Sequence, residues 1–171
     1  MSEKDTTASS VPTPAPSPME LVLQFHHTYS VPIRPFSDPT LDYERMNMRM
    51  SLIAEEFAEL MGAVYGPRAR AIIEAATAEA VAADEGERDV IEAADALADL
   101  VYVVYGMAIE SGMNLDSVLA EVQASNLSKL MPDGSFKLRE DGKVLKGPNF
   151  FQPNIARGLG LESPTDSGEA D

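Results

Sequence analysis

The stretch from Glu87 to Ser111 reads as one helix closed by Gly112, and it is apolar nearly all the way round. Val90-Ile91, Ala96-Leu97-Ala98 and Leu100 to Val104 supply that surface. A helix of this kind is expected to be buried, which demands a fold with other elements on several of its sides. Yet it carries Glu92, Asp95 and Asp99, which at about 100° per residue fall within an arc of roughly 60°. A charge on a buried helix is rare without a partner. A second acid stripe lies upstream in Glu55-Glu56-Phe57-Ala58-Glu59, where Glu55 and Glu59 are within roughly 40° of each other. Carboxylates so close repel one another and raise one another's pKa unless a multivalent cation sits among them. Hard oxygen ligands with no nearby Cys or His suit Mg²⁺ or Mn²⁺, and such a site points to phosphate chemistry.

Capping signals set out the remaining helices. Ser17-Pro18-Met19-Glu20 is a capping box with proline at the first helical position, so a helix starts there and runs to about Thr28. A proline-rich loop from Val31 to Pro39 follows. The second helix is expected to open near Thr40 or Leu41, with Asp42 in its first turn, and to end at Gly66-Pro67. Its apolar positions, Met46, Met50, Ile53, Phe57, Leu60 or Met61 and Val64, read as core. Pro67 opens an Ala-rich third helix to about Ala83, and Asn114 caps a fifth from Leu115 to about Leu130. Asp133-Gly134 and Asp141-Gly142 are turn signals spaced for a short hairpin or ordered loop. The expected class is therefore all-α, a four- to five-helix bundle with that small C-terminal feature.

The chain divides into a Pro/Ser/Thr-rich arm over 1–17, one folded domain over 18–156 and an acidic tail over 157–171. It has 28 acidic and 13 basic residues, for a net charge of −15, so an electrostatic grip on a nucleic-acid polymer is not expected. Most of the acids, Glu74, Glu79, Asp84, Glu85 and Glu87 among them, read as solvated surface. No long apolar run or basic leader indicates a membrane span or signal peptide, and the absence of cysteine excludes disulfides and thiolate sites; a cytoplasmic protein is the expectation. One region reverses the charge. From Lys129 to Arg157 six basic residues stand against three acids, enough to serve a small polyphosphate.

Two antiparallel helices joined through a third are expected to bring the two acid stripes face to face. A di-iron bundle would want Glu-x-x-His, but His26 and His27 lie far upstream, and neither Asp-Gly turn has the ligands of a calcium loop.

Glu55-Glu56-x-x-Glu59 followed by Glu92-x-x-Asp95 resembles the signature of the all-α nucleotide pyrophosphohydrolases, the superfamily of MazG, dimeric dUTPases and phosphoribosyl-ATP pyrophosphohydrolase. Glu121 to Leu130 and Arg139 to Asn149, with Asn126, Lys129 and Lys-Gly-Pro-Asn, are similar to its phosphoribosyl-ATP-pyrophosphohydrolase-like branch. The resemblance covers roughly residues 20 to 155 and implies Mg²⁺-dependent hydrolysis of a nucleoside triphosphate between the α and β phosphates, giving monophosphate and pyrophosphate. It implies Glu55, Glu56 and Glu59 as catalytic carboxylates, with Glu56, Glu59, Glu92, Asp95 and Asp99 as metal ligands. The second motif is either Glu92/Asp95 or Asp95/Asp99, and Asp95 belongs to both. Asn126, Lys129, Lys143 and Lys146 are the candidates for contacting substrate phosphates. Gln24, Phe25 and His26 or His27 could line a base pocket, or Phe25 simply packs inward; Tyr102 and Tyr105 read as packing residues. A homodimer or dimer of dimers is expected because helices this apolar are hard to cover within one chain. Phosphoribosyl-ATP hydrolysis and a catalytically silent interaction module are the alternatives.

Overall fold

In the computed structural model, residues 15–139 and 142–161 are described, and six helices account for the regular structure among them: α1 Pro18–Thr28, α2 Met46–Tyr65, α3 Pro67–Ala82, α4 Val90–Glu110, α5 Leu115–Leu127 and α6 Ile155–Gly158. The all-α class is as expected. The described parts of the arm and tail are residues 15–17 and 157–161; residues 1–14 and 162–171 lie outside the described set.

Local chemistry explains the boundaries. Ser17 accepts from the Glu20 backbone N–H while the Glu20 carboxylate accepts from the Ser17 N–H, closing the capping box of α1. Asp89 caps α4 by accepting from the Ile91 and Glu92 N–H groups at 2.9 and 3.0 Å. Gly112, at φ 71°, follows the end of that helix in a conformation that suits glycine. The start of α2 corrects the sequence reading. Thr40 Oγ1 takes the Asp42 N–H into a local turn, so Asp42 stands outside the helix, which begins only at Met46 with no side-chain cap on Arg45.

Two compact units emerge. The first gathers α1, α5 and α6 with the segments around them, over 15–32, 113–137 and 144–161. Tyr29 is its fully buried centre, and its hydroxyl donates to the carbonyls of Asn126 and Leu127 at 2.7 and 3.2 Å. α6, which only the Asn154 cap foreshadows, is drawn onto α5 by Arg157, whose guanidinium meets both oxygens of Glu121 at 2.7 Å.

The second unit holds α2, α3 and α4 with the described residues of 138–143. α2 and α3 form a hairpin through Gly66-Pro67, and Gly62 of α2 lets the Arg70 stem of α3 approach so closely that an added Cβ would lie 3.1 Å from the Arg70 Cβ. The bulk of α4 departs from expectation. It packs along neither α2 nor α3, and its apolar side chains are exposed in the single chain: Ile91 by 82%, Tyr102 by 79% and Ile109 by 75%. The α2 positions read as core also fall short of burial, since Met50, Ile53, Phe57, Leu60 and Val64 are all exposed. The physical reason is the partner: α3 is rich in alanine and covers only the Ala58–Gly62 side of α2.

Among its described residues the C-terminal feature contains no strand, and residues 140–141, with the Asp141 position of the expected turn, lie outside the described residues. Arg139 N–H donates to the Lys143 carbonyl and Leu145 N–H to that of Lys137, each at 2.8 Å, too short a ladder for strands.

Candidate active site

α2 brings Glu55, Glu56 and Glu59 to the surface of the second unit, all exposed. Two of them already have cationic neighbours. Lys143 Nζ donates to Glu55 Oε2 at 2.8 Å, so a candidate phosphate ligand from the basic segment lies against a candidate catalytic carboxylate. Arg70 of α3 reaches Glu59 Oε1 at 3.2 Å while its Nε donates to Glu74 at 2.8 Å. These carboxylates, Glu74 first, hold the Arg70 guanidinium above its ordinary pKa. Sequence reading missed Arg70. Its signals were Gly62, which makes room for it, and the Gly66-Pro67 turn, which folds α3 back along α2.

On α4, Glu92, Asp95 and Asp99 are likewise exposed. The expectation that the two stripes face each other is not met within one chain, because α4 does not pack along α2. Among the described residues no three acidic or histidine side chains gather closely enough to hold an ion. The donor chemistry fits Mg²⁺ or Mn²⁺, since every candidate is a carboxylate oxygen and no thiol exists to attract a softer metal. Tyr102 does not pack as expected but stands open to solvent beside Val103, Gly106, Met107, Glu110 and Ser111, lining a shallow hollow on α4.

The first unit assembles the other candidates. Lys129 Nζ donates to Asn126 Oδ1 at 2.7 Å and sits 6.0 Å from the centre of the Phe25 ring. Lys146 Nζ lies 4.4 Å from the centre of the Phe150 ring. Burial, and after it the charge of Lys146, lowers the Lys129 pKa, the mark of a half-buried cation beside another cation. What fixes the two lysines near each other is Gly147. Its N–H donates to the Lys129 carbonyl at 3.0 Å, and a Cβ there would come within 2.5 Å of the Leu130 oxygen. Of the base-pocket candidates, Gln24 accepts from the buried Gln123 at 3.0 Å, Phe25 packs on Tyr29 with ring centres 4.7 Å apart, and His26 Nδ1 donates to the Pro32 carbonyl at 3.1 Å. Phe25 therefore packs inward. His27 is exposed.

Among the described residues no helix is long and apolar enough to cross a membrane.

Comparison with known proteins gives these residues their setting. The fold matches the crystal structure of a protein from Exiguobacterium sp. 255-15 to which NTP pyrophosphohydrolase activity has been ascribed, with a TM-score of 0.65 and 27% identity over 84% of this chain and 94% of that one. No curated protein sequence matches the chain. Fold and family model together define an all-α enzyme of the pyrophosphohydrolase class. The family model described as phosphoribosyl-ATP pyrophosphohydrolase matches residues 22–126, more than half of the chain, and the protein belongs to that family.

Proposed function

We propose that the protein is a Mg²⁺-dependent nucleoside triphosphate pyrophosphohydrolase, acting on ribo- or deoxyribonucleoside triphosphates in the cleaning of nucleotide pools. The observation that carries the reading is the Lys143–Glu55 contact of 2.8 Å, in which an anion-binding group and a proton-accepting group share one place. Water attacks the α phosphorus, the bond to the α–β bridging oxygen breaks, and pyrophosphate leaves with that oxygen. A carboxylate among Glu55, Glu56 and Glu59 takes the water's proton. Lys143 turns from Glu55 to the polyphosphate as the negative charge arrives. Asn126, Lys129 and Lys146 are assigned phosphate contacts on the chemistry of their own unit, where two neighbouring ammonium groups favour an anion. Glu56, Glu59, Asp95 and either Glu92 or Asp99 are the oxygen ligands for Mg²⁺, with Mn²⁺ as substitute. The ion, when bound, neutralises charge developing on the phosphate oxygens. The working form is a homodimer or dimer of dimers.

A screen of nucleotides with and without Mg²⁺, with products separated, tests this. The expected result is monophosphate and pyrophosphate in equal amounts from one or more triphosphates, and none in EDTA. Release of orthophosphate, or no turnover, would overturn the reading. The match to the phosphoribosyl-ATP pyrophosphohydrolase model supports a second reading, hydrolysis of phosphoribosyl-ATP, and that substrate belongs in the same screen.

A further inference from the structure

We infer that Arg45 is a positioning residue for Lys143: its guanidinium, laid against Gly142, keeps the Gly142-Lys143 segment on α2 while the Lys143 ammonium exchanges Glu55 for a polyphosphate. The inference rests on the pyrophosphohydrolase reading for what Lys143 does, and one of its two measurements needs no turnover.

The Lys143–Glu55 pair is too weak to hold the segment by itself. Its side chains are 37% and 46% exposed, and an ion pair so open to water contributes little. That weakness suits exchange, since an arriving triphosphate can take the ammonium at small cost. It also requires that another contact keep Lys143 beside α2. The backbone bonds of the segment do not serve, because they join residues of the same short stretch: Gly142 N–H donates to the Arg139 carbonyl at 2.9 Å, and Arg139 N–H to the Lys143 carbonyl at 2.8 Å.

Gly142 supplies the attachment. At φ 80° it holds a conformation that suits glycine, and the space a side chain would take is filled by Arg45. A Cβ at 142 would stand 3.0 Å from Arg45 Nη1 and 3.5 Å from both Cζ and Nη2, so three atoms of the planar group lie against one spot of bare backbone. Arg45 is half-buried at the N-cap position of α2, and among the described residues no hydrogen bond or ion pair draws its guanidinium elsewhere. Arg45 and Lys143 are both cations, so charge cannot hold them together. The contact is one of shape, a flat group against a glycine.

Arg45, Glu55 and the Gly142-Lys143 segment all belong to the second unit. Glu55 stands about 15 Å further along α2 than Arg45. Consecutive residues of the segment are thus attached to α2 at two places, Gly142 at its start and Lys143 nearer its middle. When a polyphosphate takes the ammonium, the pair at Glu55 opens and the carboxylate can accept the proton of the attacking water. The Arg45 contact does not involve the Lys143 charge and stays closed.

A double-mutant cycle on kcat/KM for triphosphates tests the coupling. Lys143→Ala should lower it by about tenfold or more, the effect of losing a charge-assisted hydrogen bond. Arg45→Ala should lower it nearly as far, and the double variant should match Lys143→Ala alone to within about twofold, because one residue acts through the other. Arg45→Lys keeps the charge but loses the planar group, so it should resemble Arg45→Ala. Losses that multiply in the double variant, or wild-type kinetics in Arg45→Lys, overturn the inference. The second measurement follows the Lys143 ammonium by ¹⁵N NMR, its resonance assigned by its loss in Lys143→Ala. The resonance should shift in Glu55→Gln and shift in the same direction in Arg45→Ala and Arg45→Lys, with helical circular dichroism retained. An unshifted resonance in both Arg45 variants overturns the positioning role, whether or not the wild type hydrolyses nucleotide. A shifted resonance in a protein whose wild type releases no pyrophosphate supports the contact and overturns the pyrophosphohydrolase reading instead.

Discussion

Lys129 and Asn126 are joined side chain to side chain across the C-terminal end of α5, the ammonium donating to the amide oxygen at 2.7 Å. The bond orients both groups, and burial together with Lys146 lowers the lysine's pKa from its ordinary 10.5. A folded-state value below the unfolded one means that the unfolded chain holds this proton more readily. Lys129 therefore costs stability below its folded pKa, and the cost is relieved as pH rises through that value toward 10.5. A polyphosphate docked on the pair raises the pKa again. Tripolyphosphate binding in the alkaline range should accordingly take up protons, measured calorimetrically in buffers of different ionisation enthalpy, and Lys129→Met should abolish the uptake.

Catalysis by the same cations can be read directly. Lys129→Ala and Lys146→Ala should each lower kcat/KM for triphosphates by a factor corresponding to about 1.5 to 3 kcal/mol, the scale of a charge-assisted hydrogen bond. In a chain of net charge −15 the loss should be greatest at low ionic strength. Wild-type kinetics in both variants at low salt would remove the lysines from the site.

The carboxylates make a different demand. Glu56→Gln, Glu59→Gln, Asp95→Asn and Asp99→Asn should each lower kcat by about 100-fold or more. Their melting temperatures without metal should stay nearly level, because all four side chains are exposed and the ion pair that Glu59 makes with Arg70 is a surface pair. Full activity in both Asp95→Asn and Asp99→Asn would displace the site from α4.

Metal should stabilise what it binds. At a hundredfold excess over Kd, Mg²⁺ is expected to add about 2.7 kcal/mol to the stability of the folded protein. Thermal unfolding in millimolar Mg²⁺ and in EDTA checks this, and equal melting would count against the ion.

Gly147 is where backbone packing and the candidate site meet. An alanine Cβ would lie 2.5 Å from the Leu130 oxygen and 2.8 Å from that of Lys129, so main chain must move. Gly147→Ala should cost roughly 1 to 3 kcal/mol by denaturant unfolding. It should also raise KM for triphosphates as Lys146 and Lys129 part.

Tyr29→Phe should cost about 1 to 2 kcal/mol, because its hydroxyl meets two carbonyls at the end of α5 from a fully buried ring. The checks are unfolding free energy and KM, the latter because Asn126 loses its support.

Where a signal is local, the sequence sufficed. The Ser17–Glu20 box, the Gly66-Pro67 turn and the Asn114 cap act within a few residues, and α1, α3 and α5 begin where those residues stand. Glu55, Glu56 and Glu59 share α2, as Glu92, Asp95 and Asp99 share α4, because helical period alone sets such groupings. The late start of α2 was hidden in a competition between a helical first turn and the Thr40 hydroxyl.

The sequence by itself determined the five longer helices, their order and the set of carboxylates and lysines they carry, since capping and periodicity are short-range, but not the one-turn α6 or the first residue of α2. Only the tertiary structure decided that Arg70 reaches Glu59, that Lys143 returns 88 residues along the chain to Glu55, and that α4 leaves the α2–α3 hairpin with its apolar surface open. Those outcomes depend on which surface each helix finds to bury against. The apolar pattern of α4 fixed the need for a partner but not its source, because hydrophobic burial carries no direction.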